Sequence, residues 1–215
     1  ALGHTPALRI ICASYGADLA ESFSRDARRL MQTTWNRAIF PRTVLDPRRA
    51  SASELRTTQN GVRIATSVGG PLTGKGGGPL IIDDPMKAED AQSEAKRSAV
   101  WEWFKGSAVT RLDDPKKGAI VVVAQRLHED DLPGRLIASE TWDILNLSAV
   151  AMHDAEIALT KGVVWTRPQG DILVPDQMGQ DELDRIKKEI GSAAFEAQYQ
   201  QAPTPDGGRN IRQNW

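Results

Sequence analysis

The sequence predicts an α/β domain with a largely parallel sheet flanked by helices. Three observations predict it. Short apolar runs of strand type recur at residues 8–13, 80–84 and 119–124. Amphipathic helical patterns separate them. One run, Pro79-Leu80-Ile81-Ile82-Asp83-Asp84-Pro85, delivers two adjacent carboxylates to its C-terminal end. That is the edge at which ligands bind in open α/β sheets.

Composition bounds the function. The chain has 215 residues, 40% hydrophobic and 26% charged, within the range of an ordinary globular protein. Its net charge of −1 excludes a global basic signature, so any DNA contact must use a local patch. Cys12 is the only cysteine, which excludes an internal disulfide or a cysteine zinc site. No apolar run is long enough to cross a membrane, and the start lacks a signal-peptide pattern, so the cytosol is the default compartment. The chain opens on Ala1 and stops at Trp215 after a loop, and we expect an internal piece of a longer protein.

In chain order, residues 8–13 read as a buried strand and Ser14-Tyr15-Gly16 as the turn out of it. From Ala17 to about Thr33, Leu19, Phe23, Ala27, Leu30 and Met31 recur at helical spacing. The polar side of that helix carries Arg25, Arg28 and Arg29, either a solvated face or a contact to nucleotide phosphate or DNA. Residues 46–53 read as a loop. Asn60-Gly61 between strand-like runs at 54–59 and 62–67 predicts a hairpin. Residues 91–105 read as a helix capped at Gly106, residues 119–124 as a second buried strand, and residues 142–147 as a third. Asp131 is suited to cap a short helix through Leu136 and Ile137. Residues 150–180 are loop-rich. Two helices follow, the first with Asp181 as its N-cap and Gly191 past its end, and residues 204–215 read as a linker.

The chemistry sits around Asp83 and Asp84. One carboxylate at a strand end can hold Mg²⁺ and its neighbour can orient a water for attack on a phosphate, the Walker B pattern. The alternative is a strand ending in a polar turn. Gly69 and Gly74-Lys75 almost complete a Walker A pattern, but Gly76 stands where Ser or Thr is needed, and Gly76-Gly77-Gly78-Pro79 forbids the helix such a loop must open. The loop then reads either as a flexible presenter of Lys75 to a phosphate or as a mobile surface loop. No other Walker A candidate exists in the 215 residues, so we expect one before Ala1 if the site is real.

The chain resembles the large terminase subunit of tailed bacteriophages and prophages. The stretches that carry the resemblance are Ser14-Tyr15-Gly16-Ala17-Asp18-Leu19-Ala20, Gly69-Gly70-Pro71-Leu72-Thr73-Gly74-Lys75-Gly76, Ile81-Ile82-Asp83-Asp84-Pro85, residues 125–136 from Gln125-Arg126-Leu127-His128 to Arg135-Leu136, and Phe195-Glu196-Ala197-Gln198-Tyr199-Gln200-Gln201-Ala202-Pro203. Their order and spacing cover nearly the whole chain. The resemblance implies a P-loop NTPase-like fold of the additional-strand, catalytic-acid class, incomplete at its N-terminus. Residues 1–149 would be a partial ATPase domain and residues 150–215 the stretch leading to a nuclease domain beyond the chain. It implies ATP and Mg²⁺ as cofactors. The implied partners are double-stranded DNA, further copies of the chain in a ring, a portal protein and a small terminase subunit, in the cytoplasm of a bacterial host. Asp83 matches the magnesium acid and Asp84 the acid that activates water. Lys75 stands where the family has the arginine of a Thr-Gly-Arg-Gly pattern, a finger that acts in cis or on a neighbouring subunit's ATP. Gln125-Arg126-Leu127-His128 stands where the family has Thr-Arg-Trp-His. Gln125 would sense the γ-phosphate. Arg126 is either a phosphate sensor or a structural partner of Glu129, Asp130 or Asp131, and His128 reads as structural. The alternatives are a non-catalytic prophage-remnant module for oligomerisation or DNA binding, or another ATPase of this class such as a helicase.

Overall fold

The computed structural model describes residues 1–204. They fall into two compact units, residues 1–124 and the stretch from Gln125 onward. The sequence changes character only after Ala149; the compact division falls earlier, directly behind the apolar run at residues 119–124.

The first unit is built on six strands: β1 (Arg9–Ser14), β2 (Leu45–Ala50), β3 (Glu54–Thr57), β4 (Val62–Ser67), β5 (Pro79–Asp83) and β6 (Ala119–Val123), in the order β2-β3-β4-β1-β5-β6. β4, β1, β5 and β6 run parallel, and β3 and β2 extend the sheet antiparallel beyond β4. The expected largely parallel α/β sheet is present. Central parallel strands are covered on both faces, which is why β1 and β5 read as near-continuous apolar runs. β6 is as apolar, yet it lies at the sheet's edge and alternates between exposed and half-buried residues, so the expected second buried strand forms as a strand but is not buried. Ile11, Val62, Leu80 and Ile82 are each at most 1% exposed and form the centre of the core.

The Asn60-Gly61 hairpin forms as expected between β3 and β4, with Asn60 at φ 65°. A Cβ on Gly61 would lie 2.0 Å from the Pro6 carbonyl oxygen, so the position admits only glycine. The expected loop at residues 46–53 instead contributes most of β2. Only Leu45 and Ala50 pair with β3, with a register shift between them, so Pro47 need not donate to the ladder. Helix α1 (Ala17–Gln32) is followed directly by α2 (Thr34–Ile39). Thr33 separates them: its N–H donates to the Leu30 carbonyl at 3.1 Å and its hydroxyl accepts from the Asn36 N–H at 3.3 Å, ending one helix and capping the next. Helix α3 (Glu94–Trp103) is capped by Ser93. It does not stop at Gly106 as expected. It widens into a π-helical turn over Phe104–Ala108, which keeps Phe104 and Ala108 buried.

The second unit contains α4 (Leu132–Ala138), a hairpin of β7 (Ala155–Ala158) and β8 (Val164–Arg167), α5 (Gln180–Ile190) and α6 (Ser192–Gln198). The hairpin lies within the expected loop region. Residues 142–147 are not the buried strand their apolar pattern suggested: no strand forms there, and Ile144 and Leu145 are 54% and 66% exposed. The N-cap of α5 is Gly179, whose N–H donates to Glu182 at 3.1 Å, so Asp181 lies in the first turn instead. Gly191, at φ 82°, ends the helix as expected. Of the expected linker, residues 205–215 lie outside the described residues. No helix among the described residues is long and apolar enough to cross a membrane.

Candidate active site at the carboxyl edge of the sheet

β5 carries Asp83 to the edge where the parallel strands end. In register beside it stand Ser14 on β1 and Val123 on β6, and Ser67 on β4 stands beside Ser14. Residues in register on parallel strands share a face, so Ser67, Ser14 and Asp83 form one polar row. Asp84 is the first residue past the strand. Its N–H donates to the Val123 carbonyl at 2.9 Å, and its own carbonyl accepts from the Tyr15 N–H at 3.0 Å. It holds φ 45°, a left-handed conformation that non-glycine residues seldom adopt. The turn takes Asp84 out of the strand's alternation. Asp83 is half-buried and Asp84 exposed.

The chain leaves β1 through α1 and α2 for the β2-β3-β4 side of the sheet, and leaves β5 for β6 on the other side. The carboxyl ends of β1 and β5 therefore flank a topological switch point, the usual crevice for a ligand in such sheets. Gly16 opens α1 there without a side-chain cap. Lys87 lies 5.4 Å from the Tyr15 ring centroid. Ser14 is 3% exposed. Sequence reasoning passed over Ser14 as a turn residue; the signal available was a hydroxyl at a strand end directly before the glycine that opens a helix.

On the same face, Cys12 lies one rung behind Ser14. Burial pushes its thiol pKa above the ordinary value; the Arg63 guanidinium pulls it down, and the Asp83 carboxylate pushes it up.

Lys75 is not brought to this site. Gly78 donates to the Arg9 carbonyl at 2.7 Å and accepts from the Ala119 N–H at 3.2 Å, which fixes the glycine stretch at the edge where β1, β5 and β6 begin. β5 separates that edge from Asp83 by about 13 Å at a strand's rise per residue. Part of the stretch expected to be a flexible loop is packed against its surroundings. Leu72 is 3% exposed and anchors the stretch, Gly77 exchanges backbone hydrogen bonds with Arg111 and Asp113, each 3.0 Å, and Arg9 Nε donates to the Gly76 carbonyl at 3.1 Å. A Cβ on Gly77 would lie 3.0 Å from the Arg9 carbonyl oxygen, so the glycines serve close backbone packing. Lys75 itself has no carboxylate partner among the described residues.

Gln125 and Arg126 open the second unit. Gln125 is exposed. Arg126 is occupied within its own segment. Its Nε donates to both Asp131 oxygens at 2.9 and 3.1 Å, and its terminal nitrogen to the carbonyls of His128 and Glu129. Of the two readings of Arg126, the geometry supports the structural one. His128 is buried, and its Nδ1 accepts from the Asp130 N–H at 3.0 Å, also a structural role. The late glutamines, read only as part of a resemblance, hold this unit together. The Gln200 amide binds both the N–H and the carbonyl of Val150, and Gln201 accepts from the Arg126 N–H at 2.9 Å.

No cluster of three or more His, Cys, Asp or Glu side chains suited to a metal occurs among the described residues. The donors at Asp83, Asp84 and Ser14 are hard oxygens, few in number. That set fits Mg²⁺, which binds through one or two carboxylates and completes its shell with water and phosphate oxygens. No protein-family model matches the chain, and a search of curated proteins returned no match.

Proposed function

We propose that this chain is the ATP-hydrolysing core of a DNA-packaging motor of the large terminase kind. The observation that carries the reading is the pair Asp83 and Asp84 at the carboxyl end of a central parallel strand, beside a topological switch point. Asp83, with the Ser14 hydroxyl beside it, would hold Mg²⁺, and Asp84 would orient and deprotonate the attacking water. The bound cation would neutralise charge developing on the phosphate oxygens. Gln125 would sense the γ-phosphate. Lys75 would act on the site of a neighbouring copy, because its own carboxylate pair lies across the sheet.

The sheet's edges support this reading. One edge, β2, is antiparallel and carries Pro47, Arg48 and Arg49. The other, β6, is parallel, wholly apolar, and paired with β5 alone among the described residues. Val121 and Val123 on it are 45% and 52% exposed. A strand-and-helix unit carrying a phosphate loop, laid parallel to β6, would bring that loop to the same edge as Asp83. Residues 1–215 contain no such loop in sequence, and we expect the chain alone to show no ATP hydrolysis above buffer. In a subunit that supplies the loop, Asp83→Ala and Asp84→Ala should each lower DNA-stimulated hydrolysis by about 10²-fold or more. Wild-type rates in both variants would sink the assignment.

A further inference from the structure

Residues 25–56 carry charge out of proportion to the rest of the chain. They hold eight arginines, no lysine and three acids, a local net charge of +5 in a chain of net −1. The three acids are already engaged: Asp26 by Arg29 at 3.2 Å, Asp46 by Arg48 at 3.9 Å and Glu54 by Arg56. Arg28, Arg37, Arg42 and Arg49 have no carboxylate partner among the described residues. The last three of these are exposed.

The fold gathers them. Arg28 on α1 and Arg37 on α2 line one cavity of about 320 Å³, together with Thr43 before β2 and Leu45 and Pro47 on it. Arg42 directly precedes Thr43, and Arg49 lies two residues beyond Pro47. Arg28 and Arg37 thus line one cavity with no carboxylate partner among the described residues, and like charges gathered in one place repel, a cost that an anion bound between them removes. The exclusive use of arginine narrows the anion. A planar fork of permanent charge matches phosphate oxygens two at a time, which an ammonium does not.

We propose that this face binds the phosphodiester backbone of duplex DNA, with one phosphate between Arg28 and Arg37 and flanking phosphates on Arg42 and Arg49. The choice of duplex DNA over another polyanion rests on the packaging reading. A membrane surface fits the face less well. The cations come from two helices, a loop and a strand, not from one side of a long amphipathic helix, and α2 has only six residues.

The test is fluorescence anisotropy of the whole chain with a labelled duplex of about 30 base pairs, titrated across a series of salt concentrations. Replacing Arg28, Arg37, Arg42 and Arg49 together by alanine should weaken binding at least about tenfold and flatten the slope of log affinity against log salt by about 3 to 4. Replacing the same four by lysine should keep most of the slope, and Lys116→Ala with Lys117→Ala should bind like wild type. If the fourfold alanine variant does not fold, Arg42→Ala and Arg49→Ala, both at exposed positions, should each flatten the slope by about 0.9. Unchanged affinity and slope in folded variants would overturn the proposal. So would equal binding to a single strand of the same sequence, or preference for phosphatidylserine vesicles over duplex. The readout uses no nucleotide and none of the substituted arginines belongs to the Asp83–Asp84 site. Failure of the DNA face and failure of the hydrolytic site are thus separate results.

Discussion

Cys12 lies on the same face of the sheet as Asp83, one strand across and one rung back, since Cys12 pairs with Ile81 and Ser14 with Asp83. The thiol therefore reports on the carboxylate. Burial raises its pKa first, Arg63 counteracts, and Asp83 adds to the rise. Only the thiolate is nucleophilic, so iodoacetamide near pH 8 should alkylate Cys12 at least about tenfold more slowly than free cysteine. Asp83→Asn should speed the reaction. A rate equal to that of free cysteine in both proteins would contradict the arrangement. The stability consequence has a definite sign. The folded thiol holds its proton more tightly than the unfolded one, so its contribution is complete below the ordinary value of about 8.5 and is lost as pH rises through the folded value. The melting temperature should fall over that alkaline range, and less so in Cys12→Ala.

Asp84 combines a proposed chemical role with a left-handed backbone at φ 45°. Asp84→Gly and Asp84→Ala both remove the carboxylate, but only glycine adopts that conformation freely. Glycine should be the more stable of the two by about 1 kcal/mol in urea unfolding. Equal stability would mean that the turn relaxes when the side chain is removed.

Lys75 and Asp84 lie at opposite ends of β5, farther apart than a lysine side chain can span. The proposed role of Lys75 in hydrolysis is therefore a role at a neighbouring subunit's site. Mixing Lys75→Ala subunits with Asp84→Ala subunits should restore up to about a quarter of the functional interfaces if mixing is random and the contact is head-to-tail. No recovery over either variant alone would remove the lysine from the mechanism.

Asp131 holds the start of the second unit. It is 3% exposed and accepts from Arg126 Nε and from the N–H groups of Leu127, His128 and Gly134. Asp131→Ala leaves the Arg126 charge, itself mostly buried, without its partner and uncaps α4. The expected loss is about 3–5 kcal/mol by urea unfolding. A loss under about 1 kcal/mol would show that the network rearranges around the gap.

The parts of this fold that the sequence made legible are those decided locally. Asn60-Gly61 set a hairpin because its turn demands those residues, and the apolar run into Asp83 read as a parallel strand because burial on both faces leaves no alternation. What failed depended on distant partners. Residues 142–147 have the pattern of a strand, but a strand needs a neighbour, and pairing is not written in the segment itself. β2 carried Pro47, Arg48 and Arg49 and read as loop, yet β3 needed only its backbone. The glycines before β5 suggested mobility because composition does not show how closely the Arg9 backbone approaches. Arg126 stood open between two roles until the carbonyls and carboxylate around it were located. Within the candidate site, the two acids were legible and Ser14 was not, because its neighbourhood to Asp83 exists only through strand register.

β6 has a consequence for handling the protein. Ala119-Ile120-Val121-Val122-Val123 has no lysine, proline or bulge, the devices by which edge strands resist pairing. Among the described residues β6 pairs with β5 alone, which leaves its outer edge a template for any extended segment that reaches it. For the chain as it stands, concentration therefore becomes a structural variable: dilute solutions favour separate molecules, and crowded ones favour edge-to-edge association that begins at Val121 and Val123.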